Sequence, residues 1–115
     1  MSKLFSQPGE VIALAAPYDR TAGQGALVGA LFGVAMSDVL NGVTGQFAIE
    51  GVHTLAKATG QTWSQGALIY WDNTNKNCTT TSTSNTRIGC AMQAQASGDT
   101  TGLVRLNGIA TPTGA

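Results

Sequence analysis

The chain reads as all-β. Three features of its 115 residues carry this reading. Fifteen glycines against three prolines cut it into short segments, and glycine costs about 1 kcal/mol inside a helix. The segments are rich in Val, Ile, Leu and Thr, residues that fit the pleated surface of a strand. No window holds a sustained helical stripe, while Ser, Thr, Asn and Gly recur at turn-like intervals.

Taken in order, residues 1–9 read as an extended N-terminal arm that ends at the Pro8-Gly9 turn signal. Residues 10–106 form one β domain, and 107–115 a C-terminal tail. Residues 10–16 are a first strand, followed by a polar loop, 17–24, that holds Tyr18 and Arg20. The run 25–36 is expected to hold two strand segments kinked near its glycines. It is apolar on both faces, as befits a barrel core or a subunit contact. A turn at 42–45 precedes a long strand, 46–56, with Phe47, Ile49 and Leu55 on one face and Glu50 and Thr54 on the other.

Residues 57–66 are expected to hold a short helical turn with Trp63 beneath it. The strongest strand signal is 67–71, Ala-Leu-Ile-Tyr-Trp, and residues tolerant of left-handed backbone follow at 72–77. A Thr-rich strand is expected over 78–83, a reversal at Ser84-Asn85, and a return strand over 86–96 with Ile88, Cys90 and Met92 on one face. Residues 97–102 make the last turn, and 103–106 close the domain.

Composition excludes several function classes. Hydrophobic residues make up 43% of the chain but charged ones only 10%, against about 25% in a typical soluble domain. A surface so poor in charge suits a protein whose faces are covered by partners. Six basic and six acidic residues cancel. Lys3, Arg20, Lys57, Lys76, Arg87 and Arg105 are scattered rather than gathered, which argues against binding nucleic acid or an anionic membrane. No signal peptide is recognisable, and the apolar stretch 26–36 is shorter than the roughly 20 residues a membrane helix needs. A soluble protein made in the cytoplasm is expected.

Catalytic and cofactor motifs are missing from the pattern. His53 is mid-strand with Glu50 three residues back, on the opposite face, so no general-base pair forms. There is no Gly-x-Ser-x-Gly elbow, no Gly-Lys-Ser/Thr loop, and Gly23-Gln24-Gly25 lacks the third glycine of a dinucleotide fingerprint. Asp72-x-Thr74-x-Lys76 places a cation where a calcium loop needs a ligand, so it reads as an ordinary hairpin turn. No enzyme activity, cofactor or metal is expected.

Cys78 and Cys90 are symmetric about Ser84, and a hairpin centred there would set them opposite one another, close enough to bridge. A cytoplasmic origin and the usual role of cysteine as a small buried residue favour two free thiols. Tyr70 and Trp71, adjacent on a strand, point to opposite faces. One is expected to plug the core and the other to anchor a contact with a neighbour.

The order of segments resembles a known family. The segments are Gln7-Pro8-Gly9-Glu10, the run 25–35, Glu50-Gly51-Val52, Leu68-Ile69-Tyr70-Trp71-Asp72, Thr79-Thr80-Thr81, Ser97-Gly98-Asp99-Thr100-Thr101-Gly102 and Val104-Arg105-Leu106. In this order, over roughly 3–106, they resemble short proteins encoded among phage head genes, some of which act as capsid cement or decoration proteins. The family has also been labelled a predicted recombinase. This sequence, with neither a nucleotide-binding loop nor a basic patch, argues against that label.

The resemblance implies a compact β-barrel or jelly-roll-like domain that sits as a homo-oligomer on the outer face of a tailed-phage head. It does not fix the order of the oligomer, for which a trimer is favoured over a dimer. Its partner there is the major capsid protein. The arm, with Lys3, Leu4 and Phe5, could extend roughly 20 Å at about 3.3 Å per residue and add a strand to a neighbour's sheet edge. Lys3, Leu4, Phe5, Tyr70 and Trp71 are therefore the expected partner-binding residues. Another virion component, a head-fibre base or tail protein, is the alternative, and a small DNA-processing factor a more distant one.

Overall fold

The computed structural model describes residues 11–108, and every described element is a strand. The expected arm and most of the tail lie outside the described residues. The strands are β1 (Val11–Ala15), β2 (Gly25–Val28), β3 (Leu31–Ala35), β4 (Thr44–Ala48), β5 (Glu50–Ala56), β6 (Leu68–Asp72), β7 (Asn77–Thr79), β8 (Thr86–Ala91) and β9 (Thr101–Asn107). They form two antiparallel sheets, ordered β1-β4-β3-β2 and β5-β9-β8-β6-β7. The larger sheet curls until its edges touch, where Lys57 bridges Cys78 and Ala58 N donates to Cys78 O at 2.8 Å. The all-β, barrel-like expectation is met.

The run expected as two kinked segments is a hairpin. Val28 pairs Leu31 across a two-residue loop, and Gly29 supplies the positive φ (62°) at its first position, the pattern of a type II′ turn. β3 is buried on both faces, as its composition requires. Phe32 and Val34 join the main core with Leu55, Trp63, Ile69, Trp71 and Ile88, whereas Ala35 joins a smaller one with Ala16, Ala26, Val39 and Phe47.

The long strand expected over 46–56 is instead two. The chain leaves the first sheet after Ala48, turns a corner at buried Ile49 and enters the second sheet at Glu50. Gly51 takes φ 96° just past the corner, a conformation open to glycine and strained for other residues. The face assignment still holds, since Phe47, Ile49 and Leu55 are all buried and Glu50 and Thr54 exposed.

No helical turn forms over 57–66. The backbone there bonds outward to other segments: Lys57 N to Thr100 O, Gly60 N to Ser97 O, and Trp63 N to Gln95 O at 2.9 Å. Trp63 is buried, as expected. β7 ends at Thr79 rather than at 83, because the Gln61 side chain takes over the pairing. It donates to Thr79 Oγ1 at 2.6 Å and accepts from Thr80 N at 3.0 Å.

β8 ends at Ala91 and carries a bulge. Ile69 pairs Gly89 but Tyr70 pairs Arg87, so Ile88 is the extra residue. The alternation reverses there: Ile88 and Ala91 are buried, while Cys90 is only partly so. The expected shared face of Ile88, Cys90 and Met92 is thereby overturned. So is the facing pair of cysteines, because β7 and β8 lie on opposite sides of β6, with Cys78 beside Trp71 and Cys90 beside Leu68. Both cysteines are free.

Two glycines mark the tightest packing. A Cβ on Gly89 would lie 2.9 Å from the Arg105 carbonyl carbon and closer still to its oxygen; on Gly102 it would lie 2.9 Å from Trp63 Cε3. Gly98 has open space around it. Gly89→Ala and Gly102→Ala should each destabilise the domain by at least about 1–3 kcal/mol, and Gly98→Ala by no more than about 0.5 kcal/mol. Calorimetric melting of the three variants measures this, and equal melting temperatures would refute the packing account.

Candidate interaction surfaces

The polar side chains inside the fold are occupied structurally. Lys57, 3% exposed, follows Leu55 on the inward face of β5. Its Nζ donates to Ala58 O at 3.0 Å, to Gln61 O at 2.6 Å and to Asp99 O at 3.5 Å, and lies 5.5 Å from the centre of the Trp63 ring. Sequence reasoning took this lysine as one of a scattered surface set. Its place two residues after Leu55 was the only available signal, since its acceptors are backbone carbonyls.

Tyr18 and Asn73 tie the layers together. Leu27 N donates to Tyr18 Oη at 3.1 Å, and Tyr18 Oη donates to Asn73 Oδ1 at 2.8 Å. Trp71 Nε1 donates to the same oxygen at 3.2 Å. Arg20 Cζ and Lys76 Nζ lie 4.8 and 4.4 Å from the Tyr18 ring centre. Arg20 also donates to Gly25 O, and Lys76 Nζ to Asn73 O.

His53 meets the backbone of Glu50, with Nε2 2.9 Å from its carbonyl oxygen. Asp72 closes the β6–β7 turn, accepting from Thr74 N, Asn75 N and Asn75 Nδ2 at 2.9, 3.1 and 2.8 Å. Burial alone would raise its pKa, but the hydrogen bonds from Asn75 and Thr74 and the charge of Lys76 outweigh it and hold the carboxyl below its ordinary value. Among the described residues, no three His, Cys, Asp or Glu side chains gather as a metal site.

The expected contact residues fare differently. Lys3, Leu4 and Phe5 lie outside the described residues. Trp71, 1% exposed, is the core plug, with its ring centre 4.9 Å from that of Phe32 and tilted 51° to it. Tyr70 lies outside the core cluster, yet it too is buried, at 7% exposed, and so presents little area to a neighbour. The exposed residue of that strand is Leu68, two positions back on the same face and 51% exposed.

Leu68 ends a row that sequence reasoning missed. The register sets Val52, Arg105, Cys90 and Leu68 side by side across β5, β9, β8 and β6. Val52 is 46% exposed. A second apolar area, Met36, Leu40 and Val43, borders the four-stranded sheet. These two exposed apolar areas are the candidate contact surfaces among the described residues.

A family model described as phage cement protein matches residues 6–106. The chain belongs to the phage cement protein family. That is a structural family with a capsid-stabilising role. No curated protein and no solved structure matches the chain. Exposed apolar residues of this kind are candidate contact positions.

Two predictions test this chemistry. Burial pushes the Cys78 thiol up to about 12, so iodoacetamide at neutral pH should label Cys90 alone in the folded protein and both thiols after denaturation without reductant. A second label in the native state, or none after unfolding, contradicts the arrangement. The lowered carboxyl of Asp72 stabilises the fold above its ordinary pKa of 3.8, and that stability is lost as pH falls through the lowered value. Urea midpoints should therefore fall with acidification more steeply in the parent protein than in Asp72→Asn, and identical acid profiles would count against the turn.

Proposed function

We propose that the protein binds the outer surface of a tailed-phage head as a homo-oligomer and stabilises the contacts between capsomers. The observation that carries this reading is membership of the cement family over nearly the whole chain. A tightly packed two-sheet domain with apolar side chains left outside is suited to the task. It adds interface on both sides of a junction, and whatever binds only the assembled shell stabilises it by mass action. Many copies multiply the effect.

The partner in this reading is the major capsid protein, and a trimer is favoured over a dimer. Lys3, Leu4 and Phe5 are the proposed capsid contacts on the arm. Tyr70 and Trp71 contribute by fixing β6, and with it Leu68, at the surface.

Undecorated heads with and without added protein provide the test. Added protein should co-sediment with them and raise their resistance to heat and osmotic shock. Deletion of residues 2–7 should abolish this binding while the melting transition of the domain persists. Full binding by the truncated protein would exclude the arm, and heads indifferent to the intact protein would exclude the cement function.

A further inference from the structure

Among the described residues, two pairs of like charges lie on separate surfaces of the fold. Arg20, Lys57 and Lys76 are held by rings and carbonyls. Arg87 and Arg105, by contrast, are joined to their neighbours through the backbone ladders, and their guanidinium groups have no hydrogen-bond or ion-pair partner among the described residues. Both border one shallow depression of about 260 Å³ on the outer face of the larger sheet, with Leu68 at its rim and Gly89 contributing no side chain. Glu50 stands at the β5 margin of this face.

The opposite sign gathers at the smaller sheet. The bridge between Arg20 and Val39 sets Asp19 and Asp38 on adjacent segments. Each commits one carboxylate oxygen inward, to Asn41 N at 2.8 Å and to Ala22 N at 2.9 Å. Between them runs a groove of about 270 Å³ over Val39, lined also by Arg20, whose guanidinium is engaged with Gly25 O and the Tyr18 ring, and rimmed by Leu40, which is 65% exposed. It is below the usual size of a small-molecule site and suits a single protruding side chain.

We propose that these two surfaces meet between copies of the chain, the Arg87–Arg105 face of one receiving the Asp19–Asp38 rim of the next. This deepens the cement reading and rests on it, because a protein arrayed on a shell holds its copies side by side. The registers set Arg87 and Arg105 one strand across and three residues along, about 11 Å apart, and Asp19 and Asp38 one strand across and two along, about 8 Å apart, so the two pairs are of similar reach and opposite sign. Leu68 and Leu40 stand beside the charges on either side and supply the apolar centre that such contacts need. Two different patches meeting make a heterologous contact, which forms a ring when the rotation between copies closes and a filament when it does not. Like charges oppose a face-to-face contact of either patch with itself.

Sedimentation velocity of the full chain across a hundredfold concentration range, at low and high salt, tests the proposal. The parent protein should form an oligomer that salt weakens. R87D/R105D should weaken self-association about tenfold or more, as should D19R/D38R. The quadruple variant, with the charges exchanged, should associate again. Asp19 and Asp38 also hold loop amides, so Leu40→Arg, at an exposed site, is the second variant on that side.

A parent chain that stays monomeric overturns the proposal, as does R87D/R105D associating like the parent. Because R87D/R105D keeps its Asp19–Asp38 rim, it should still bind the Arg face of the parent and cap its assembly, and a variant that does not bind the parent overturns the proposal too. Each variant is also added to undecorated heads. Charge-dependent self-association without head binding upholds this interface and removes the cement reading. Monomers that bind heads through Arg87 and Arg105 assign that face to the capsid protein and overturn the interface.

Discussion

Aromatic rings laid directly on glycine backbone hold the layers of this protein together. Trp63 covers β9 at Gly102, where a Cβ would lie 2.9 Å from two of its ring atoms. Phe32, tilted against Trp71, covers β2 at Gly25, where a Cβ would lie 2.8 Å from Phe32 Cε1. Only 6% of the chain is aromatic, so the few large side chains must be fully enclosed to fill a core, and rings against bare backbone make the closest enclosure. The surroundings follow from these contacts. The 57–66 segment folds over the sheet end to seat Trp63, Lys57 lies against that ring, and Trp71 reaches Asn73 and, through it, Tyr18.

How much of this was legible depends on how local each constraint is. β6 was plain, since Leu68 to Trp71 alternate within one short run. The β2–β3 hairpin could be placed because Gly29 marks it, although a kink and a reversal look alike in sequence. The corner between β4 and β5 was hidden, because Ala48-Ile49-Glu50 continues the two-residue period straight through it. Ile88 misled more seriously. One inserted residue reverses every face after it, and no residue type announces a bulge.

Strand order was the least accessible feature. Cys78 and Cys90 appeared to face each other because sequence symmetry about Ser84 suggests a hairpin, but β6 pairs with both strands and separates them. The same non-local pairing brings Arg87 and Arg105 to one face from positions that seemed scattered. It likewise brings Asp19 and Asp38 together through a single bridge. The scatter of charges along the sequence was the ground for expecting no nucleic-acid patch. It did not reveal that Arg87 and Arg105 share one outer face or that Asp19 and Asp38 border one groove.

The sheet edges show how such a protein avoids indiscriminate association. An open edge presents unpaired amides and carbonyls to any passing strand, and the hazard grows where copies are crowded. Here the larger sheet brings β7 back to β5 at the Lys57–Cys78 bridge. The β2 edge is occupied by side chains instead, with Tyr18 accepting from Leu27 N and Arg20 donating to Gly25 O. Cations in a chain this poor in charge are thus used to close edges and cover rings. With these edges engaged, specific contacts fall to side chains on the sheet faces and loops, where a small number of charges and leucines decide which surfaces meet.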